Sequence, residues 1–373
     1  MRYCKSCLMP DTRPNIYFYK DGICAPCKNY EKQKTIDWTA RHKELEILCD
    51  KYRGKYGNGY DCAIAVSGGK DSHFQVYYMK EIMGMNPVLL AVGNIEWTET
   101  GRKNILNLSD VFSCDLITII PNVNVARKMA YKAFSQIGSP TWYIDSLIYS
   151  YPYRMIMQLG LHLLIYGEDI NYSYGGKYNI ETPSAMMQSK NDVVKPLWNE
   201  WLEEGDITEK ELNSASQPPM EECTSYGLDP VYLSYFTSWD SHHNYLVAKR
   251  WGFNDLQHEY IREHTFENYD QIDSISYLIN PWLKYPKFAH ASATDYASKW
   301  IRAGLATREE MISVVEKYDG ILDQGTVNRF CEFTRIGPRE FWNIIDKWYN
   351  PKLFKKDRDG VWCPKFKVGQ GII

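Results

Sequence analysis

The sequence has no surplus of positive charge. Its 43 lysines and arginines stand against 46 acidic residues, a formal net charge of −3, so it lacks the polybasic footprint of a dedicated nucleic-acid binder. It also lacks any apolar run near the ~18–20 residues that a membrane helix needs; Leu159 to Tyr166 is among the longest. No apolar stretch follows Met1-Arg2-Tyr3-Cys4-Lys5, which argues against a signal peptide there. Internal repeats and low-complexity tracts are missing too. A soluble cytoplasmic protein is the expectation. The 373 residues leave room for about two or three units of ~100–200 residues, large enough to bury a core without covalent staples.

Cysteine is not scarce, and its placement is uneven. Six of the ten (Cys49, Cys62, Cys114, Cys223, Cys331, Cys363) stand singly, whereas Cys4-Lys-Ser-Cys7 and Cys24-Ala-Pro-Cys27 form C-x2-C-x16-C-x2-C. Two such turns supply the four thiolates of a tetrahedral zinc ion. About thirty residues bury too little apolar surface to fold alone, and structural zinc adds roughly 10–16 kcal/mol of binding free energy. Two disulfides would be the other use of this spacing, and a reducing cytoplasm opposes them. Four thiolates leave no open position for catalysis. A structural zinc knuckle over residues 1–34 is therefore expected.

Strands and helices then alternate. Helical spacing covers Asp37 to Lys55, Cys62 to Val66 reads as a buried strand, and Asp71 to Met83 as a helix. Pro87 to Val92 and Leu116 to Ile120 read as strands around a helix at Thr100 to Leu108. Helices near Val123–Gln136 and Asp145–Gln158 precede the apolar run Leu161 to Tyr166. Such alternation predicts an α/β domain over residues 35–190, a parallel sheet with helices on both faces. Ligands of such sheets sit at the strands' carboxyl ends. From about Asn191 the strand signal fades, and residues 191–373 read as a helical substrate or interaction region. Thr307-Arg-Glu-Glu310 is a capping box, and Phe341, Ile344, Ile345 and Trp348 form one apolar face before Pro351. The aromatic segment Tyr226 to Trp251 suits either a sugar platform or core.

The chemistry-bearing string is Ser67-Gly68-Gly69-Lys70-Asp71-Ser72, directly after the apolar Ala63-Ile-Ala-Val66 and opening a helix. Glycines let the backbone turn sharply near an anion, and the helix start offers unpaired N–H groups and a positive dipole end. Ser67 and Ser72 add hydroxyls, and Lys70 adds a positive charge. Asp71 would be repelled by bare phosphate, which points to Mg²⁺ between them. The string is neither G-x-x-x-x-G-K-[ST] nor G-x-G-x-x-G.

Ser67 to Ser72 resembles the PP-loop of the ATP pyrophosphatase superfamily. The resemblance implies ATP binding, adenylation of a carbonyl or carboxylate oxygen, and displacement of AMP by ammonia or sulfur. With Trp97-Thr-Glu-Thr-Gly101-Arg-Lys-Asn104, Gly138-Ser-Pro-Thr-Trp142, Ile165-Tyr-Gly167-Glu168-Asp169, Tyr174-Gly175-Gly176, Trp239-Asp240-Ser241, Tyr318-Asp319-Gly320 and the four cysteines, the chain resembles the N-acetyl sugar amidotransferase family. These bacterial enzymes make acetamidino sugars of lipopolysaccharide O-antigen and of pseudaminic- or legionaminic-type flagellin glycans. The resemblance implies ATP phosphates on Ser67 to Ser72, with Lys70 clamping phosphate and Asp71 holding Mg²⁺. Gly93 and Asn94 would lie near adenine or ribose, Gly167 near the nucleotide, and Glu168 would orient the amide or ammonia. Asp169 departs from the family's Asn. Ala289-His-Ala-Ser-Ala293 stands where a glycine-rich turn with an arginine is expected, leaving Lys287, His290 or Arg302 as replacements.

Two further absences narrow the activity. No cysteine stands in the Pro140 stretch, where tRNA sulfur transferases of this superfamily commonly carry one, so Cys114, Cys223 and Cys331 are the remaining candidates. Position 2 is Arg2, and Gly22-Ile-Cys24-Ala-Pro26 fails the glutaminase triad pattern. Ammonia would come from solution or a separate glutaminase partner. The expectation is an ATP-dependent enzyme that converts a sugar acetamido group to acetamidino, on a nucleotide-linked or nonulosonic sugar. The alternatives are a tRNA-modifying sulfur transferase and a non-catalytic nucleotide-binding subunit.

Overall fold

The structure, a computed structural model, describes residues 1–55, 59–167, 172, 181–187 and 198–372. Glu168, Asp169, Tyr174-Gly175-Gly176 and Asn191 lie outside the described residues.

A parallel five-stranded sheet runs in the order β3-β2-β1-β4-β5, built from β1 (Cys62–Val66), β2 (Pro87–Val92), β3 (Leu116–Ile119), β4 (Leu163–Tyr166) and β5 (Asp229–Tyr232). The near-continuous apolar runs of β1, β2 and β4 fit strands covered on both faces. Cys62, Ile64 and Val66 join the core on one face, and Ala63, Val88, Leu90, Leu164 and Tyr166 the core on the other.

Helices α1 (Ala25–Gln33) and α2 (Trp38–Tyr52) precede the sheet; α3 (Lys70–Tyr77), α4 (Glu99–Phe112), α5 (Val123–Ile137) and α6 (Trp142–Gln158) connect its strands. Asp37, Thr98 and Asn122 cap α2, α4 and α5 by accepting first-turn amides, as short polar caps do. A π-helical turn, Tyr78–Ile82, continues α3, which keeps the expected helical stretch close to its predicted length.

The reading of a helical part after residue 191, where the strand signal fades, omits one strand. β5 comes from within that part and pairs with β4, Leu164 opposite Pro230. Proline lacks a ladder donor and is confined to sheet edges, so its presence in a four-residue strand hides the strand from pattern reading. Short helices α7 (Trp198–Glu203), α8 (Glu209–Leu212) and α9 (Met220–Tyr226) lead to β5, and α10 (Leu233–Phe236) and α11 (Ser241–Arg250) follow it. After a mostly irregular stretch over 251–274 the rest is helical apart from two small antiparallel ribbons, β6 (Phe354–Lys356) with β7 (Trp362–Pro364) and β8 (Phe366–Lys367) with β9 (Gly371–Ile372). Its helices are α12 (Ile275–Ile279), α13 (Lys284–Phe288), α14 (Ser292–Ala303), α15 (Arg308–Tyr318), α16 (Gln324–Thr334) and α17 (Pro338–Trp348). The Thr307 and Glu310 capping box forms at α15. Phe341, Ile344 and Ile345 enter a core with Phe330 and with Phe134 of α5, so the helical part packs on the α/β unit.

The aromatic segment Tyr226–Trp251 is mostly core. Tyr232, Phe236 and Trp239 are buried, and Trp239 meets Phe74 of α3 edge-on at 5.3 Å.

Candidate functional site at the carboxyl edge of the sheet

The chain winds outward from β1 to β2 and β3, then returns to place β4 on β1's other side. That reversal opens a crevice at the carboxyl ends of β1 and β4. The loop Ser67–Gly69 and the start of α3 stand there. The register that pairs Val66 with Ala91 and Ile64 with Ile165 brings Gly93 and Gly167 to the same edge.

Gly68 adopts φ +90°, and a Cβ on it would lie 2.9 Å from the Ile105 amide nitrogen of α4. Both the conformation and the space demand glycine. The Ser72 hydroxyl accepts from the Ser67 amide at 2.9 Å, folding the loop over the helix start. Gly69 is the N-cap, without a side-chain cap, so first-turn amides remain available to an anion. Beneath the loop, His73 Nδ1 lies 3.0 Å from the Gly69 carbonyl and its Nε2 lies 3.1 Å from Asn107 Nδ2. Burial lowers His73 to about 4, so it is neutral, with Nδ1–H donating and Nε2 accepting.

Gly93 donates to Ile119 O at 2.7 Å, and a Cβ there would meet Ile120 Cγ1 at 3.0 Å and Thr118 Cγ2 at 3.1 Å. Asn94 is buried beside it. Gly167 packs so closely on the Gln75 amide of α3 that a Cβ would overlap it.

Lys70 is only 3% exposed. Its Nζ sits 2.7 Å from Asp71 Oδ2 and in ion-pair contact with Asp270. Burial opposes the lysine charge, and Asp270 and Asp71 outweigh it, holding its pKa above the ordinary value. Asp71 Oδ1 accepts from Asn244 Nδ2 of α11 at 2.8 Å, yet the side chain stays 38% exposed. Its carboxylate therefore remains open to a cation, and its oxygens are hard donors of the kind Mg²⁺ takes.

Asp270 is the residue that pattern reading missed. It lies in an irregular stretch about 200 residues beyond Lys70 in sequence, a separation no local periodicity spans. Lys299 Nζ of α14 holds its other oxygen at 3.0 Å. Burial opposes its charge, but Lys299 and Lys70 win and hold it below the usual carboxylate range. Glu267 accepts from the Asp270 amide at 2.7 Å, and burial pushes its carboxyl up to about 7. Burial likewise raises Asp273 to about 7, against the pull of Lys70.

The Trp97–Asn104 stretch seats this segment. Thr98 Oγ1 donates to Ile272 O at 2.6 Å, Asn104 Nδ2 to Asn254 O at 2.7 Å, and Glu259 accepts from the Thr100 amide at 2.9 Å. A Cβ on Gly101 would come 2.7 Å from Asp273 Cα. Asp240 caps α11 through the His243 amide at 2.8 Å, and Asp319 caps α14 through the Thr294 amide at 3.0 Å. These stretches position elements around the loop.

None of Lys287, His290 and Arg302 pairs with the phosphate-loop residues among the described contacts. Lys287 donates to Gly138 O at 2.7 Å, and burial lowers it to about 8. His290 is buried and neutral, lowered to about 3 by burial. Arg302 faces the thiols, with Nη1 4.0 Å from Cys7 Sγ. Lys299 is the cation that reaches the loop, through Asp270.

The four N-terminal thiols are buried, with all Sγ atoms within 4.8 Å of one another. Cys7 and Cys24 are 3.7 Å apart and Cys4 and Cys27 3.9 Å. Tetrahedral Zn–S bonds of ~2.3 Å require S···S separations of about 3.8 Å, so the donor set fits such an ion. Arg308 Nε donates to the Cys7 carbonyl at 3.1 Å, which ties the cluster to α15. A cleft of about 450 Å³ between α5 and the end of α16 includes Arg127, Lys128 and Arg335 in its lining and no phosphate-loop residue.

Strand order, loop and switch point define an α/β protein of the PP-loop kind with an N-terminal four-cysteine cluster and a helical C-terminal part. Residues 263–368 match the family described as LPS biosynthesis protein WbpG-like, C-terminal domain, in agreement with the resemblance read from the motifs. Over 179 residues, 46% of this chain, it is 27% identical to an uncharacterized protein, MJ1599, of Methanocaldococcus jannaschii. The matched part spans 60% of that relative's length. Among solved structures, the NMN synthetase from Francisella tularensis aligns over 83% of this chain and 93% of its own at 12% identity and TM-score 0.33. The NH3-dependent NAD synthetase from Campylobacter jejuni aligns over 52% and 94% at 14% identity and TM-score 0.28. Likenesses of that degree carry no weight here; the strand order and the loop do. No helix among the described residues is long and apolar enough to cross a membrane.

Proposed function

We propose that this protein is an ATP-dependent amidotransferase of bacterial surface-glycan biosynthesis, converting a sugar acetamido group to an acetamidino group in the cytoplasm. The observation that carries the reading is the Lys70–Asp270 pair, in which a residue of the WbpG-like domain meets the phosphate loop.

The loop amides, Ser67, Ser72 and Lys70 would hold the ATP phosphates, with Gly93 and Asn94 near the nucleoside. The amide oxygen attacks the α-phosphorus and pyrophosphate leaves, giving an O-adenylyl imidate. Ammonia then adds to the imidate carbon, the C–O bond breaks, and the original carbonyl oxygen departs in AMP. An amide oxygen is a poor leaving group, and adenylation makes it a phosphate monoester. Asp71 would hold Mg²⁺, which supplies positive charge for the departing pyrophosphate. Glu168 is proposed to orient the amide or ammonia. Cys4, Cys7, Cys24 and Cys27 would hold structural zinc. The substrate would be a nucleotide-linked or nonulosonic acetamido sugar, with ammonia from a separate glutaminase partner and no nucleic acid. Against sulfur transfer, Cys114, Cys223 and Cys331 are all buried, and burial raises each thiol, the reverse of a reactive cysteine.

The test uses acetamido sugars labelled with ¹⁸O in the carbonyl, with ATP, Mg²⁺ and ammonium. Label appearing in AMP, together with an amidine product, is expected. Unlabelled AMP, or full pyrophosphate release by both Lys70→Ala and Asp71→Ala, would sink the proposal.

A further inference from the structure

Arg302 is a cation that the proposed reaction does not use. It stands in the last turn of α14, part-buried, with Nη1 4.0 Å from Cys7 Sγ. Among the described residues it forms no ion pair with a carboxylate. Ile301 beside it packs on the cysteine cluster and on the neighbouring core of Leu8, Met311 and Val315, so packing fixes the turn that carries the guanidinium.

Zinc with four thiolates carries a net double negative charge, and a buried charge is costly unless it is paired. Two backbone amides point at the sulfurs, Met9 N at 3.4 Å from Cys7 Sγ and Cys24 N at 3.3 Å from Cys4 Sγ. Amides supply only partial charge. The cations that neighbour the cysteines in sequence do not serve: Arg2 pairs with Asp11, Lys28 pairs with Asp21, and Lys5 is exposed. Arg308 is engaged with the Cys7 and Gly369 carbonyls. Arg302 is left facing sulfur.

We infer that Arg302 is a positioning residue of the four-thiolate centre, whose guanidinium offsets the negative charge that the thiolates leave on bound zinc and so sets how tightly the metal is held. The inference rests on zinc occupying the cluster and does not depend on the sugar chemistry. A guanidinium suits the role because it keeps its charge at every working pH. Neighbours of metal ligands tune affinity in this way without touching the metal.

The test uses the full-length protein and three variants. Arg302→Met keeps the apolar stem and removes the charge; Arg302→Lys keeps a charge. Arg302→Gln removes the charge but keeps amide donors, and it carries the comparison if the methionine variant does not fold. In competition with a chromophoric chelator under reducing conditions, Arg302→Met and Arg302→Gln should bind zinc about 10–100-fold more weakly than wild type, and Arg302→Lys within about threefold of it. With cobalt(II) in place of zinc, the thiolate-to-metal charge-transfer band should move to longer wavelength in the two neutral variants, since a thiolate without a nearby cation gives up its electron more easily. It should return toward the wild-type position in Arg302→Lys. Equal zinc affinity in wild type and a folded neutral variant would overturn the inference, and so would a loss as large in Arg302→Lys as in Arg302→Gln, which would mark a packing role. Wild-type protein that binds no zinc would overturn the zinc reading itself.

Discussion

Lys70 and Asp270 form a buried ion pair between the first helix turn after the phosphate loop and the helical C-terminal part. The lysine that an ATP phosphate would need is thus already held by a carboxylate from the other half of the chain, with Asp71 and Lys299 completing a row of alternating charges. Such a row binds the two halves together and sets the charge that an incoming phosphate meets.

Removing one partner of a buried pair leaves the other charge uncompensated, at about 3–5 kcal/mol. Asp270→Ala should therefore destabilise the protein by about 3 kcal/mol in chemical denaturation, reduced from the upper figure because Asp71 still contacts Lys70. Asp270 has a lowered pKa, so its contribution is present above the unfolded value of ~3.9 and fades as pH falls below it. Equal stabilities for variant and wild type at pH 7 would refute the pair's role.

The two loop glycines should respond differently to alanine. Gly68→Ala meets both a left-handed backbone and the Ile105 backbone, and should cost about 1–3 kcal/mol and eliminate ATP binding by calorimetry. Gly69 has φ −67°, and a Cβ there meets only the Ser67 hydroxyl at 3.4 Å. Gly69→Ala should keep wild-type stability within about 1 kcal/mol. The reverse ordering would refute this account of the loop.

Elemental analysis of protein purified under reducing conditions should find one zinc per chain. Cys24→Ser should lose it, and because Arg308 and Arg302 join the cluster to α14 and α15, hydrogen exchange should quicken in those helices too. Exchange confined to residues 1–34 would show that the cluster supports only itself.

Glu267 supplies a pH signature. Its folded pKa is raised to about 7 by burial, above an unfolded value of ~4.3. The stability it contributes is fully present below ~4.3 and declines as pH rises to about 7. Glu267→Gln keeps an oxygen for the Asp270 amide and removes the ionisation. The variant should be about 3 kcal/mol more stable relative to wild type at pH 8 than at pH 4.5. A difference that does not change with pH would count against a buried neutral carboxyl.

Much of the α/β unit is legible locally. β1 and β2 occupy the stretches their apolar runs predict, because a strand buried on both faces must be apolar throughout. The phosphate loop is legible for the same kind of reason: glycine tolerance, hydroxyls and a helix start act within six residues. β5 is not, since Pro230 suppresses the strand signal and only its partner β4 supplies the missing ladder. The aromatic segment Tyr226–Trp251 could not be assigned to core or surface until α11 was seen packed on α3.

The cysteine spacing alone determined that four thiols would gather, because two C-x2-C turns have little other use in a reducing environment. Short-range pattern likewise determined where the phosphate loop begins and which strand feeds it. The tertiary structure decided which charges face Lys70, and that Lys299 rather than Lys287, His290 or Arg302 reaches the loop. Those outcomes depend on side chains about 200 residues apart, and contacts of that separation are set by how whole elements pack rather than by the period of any one of them.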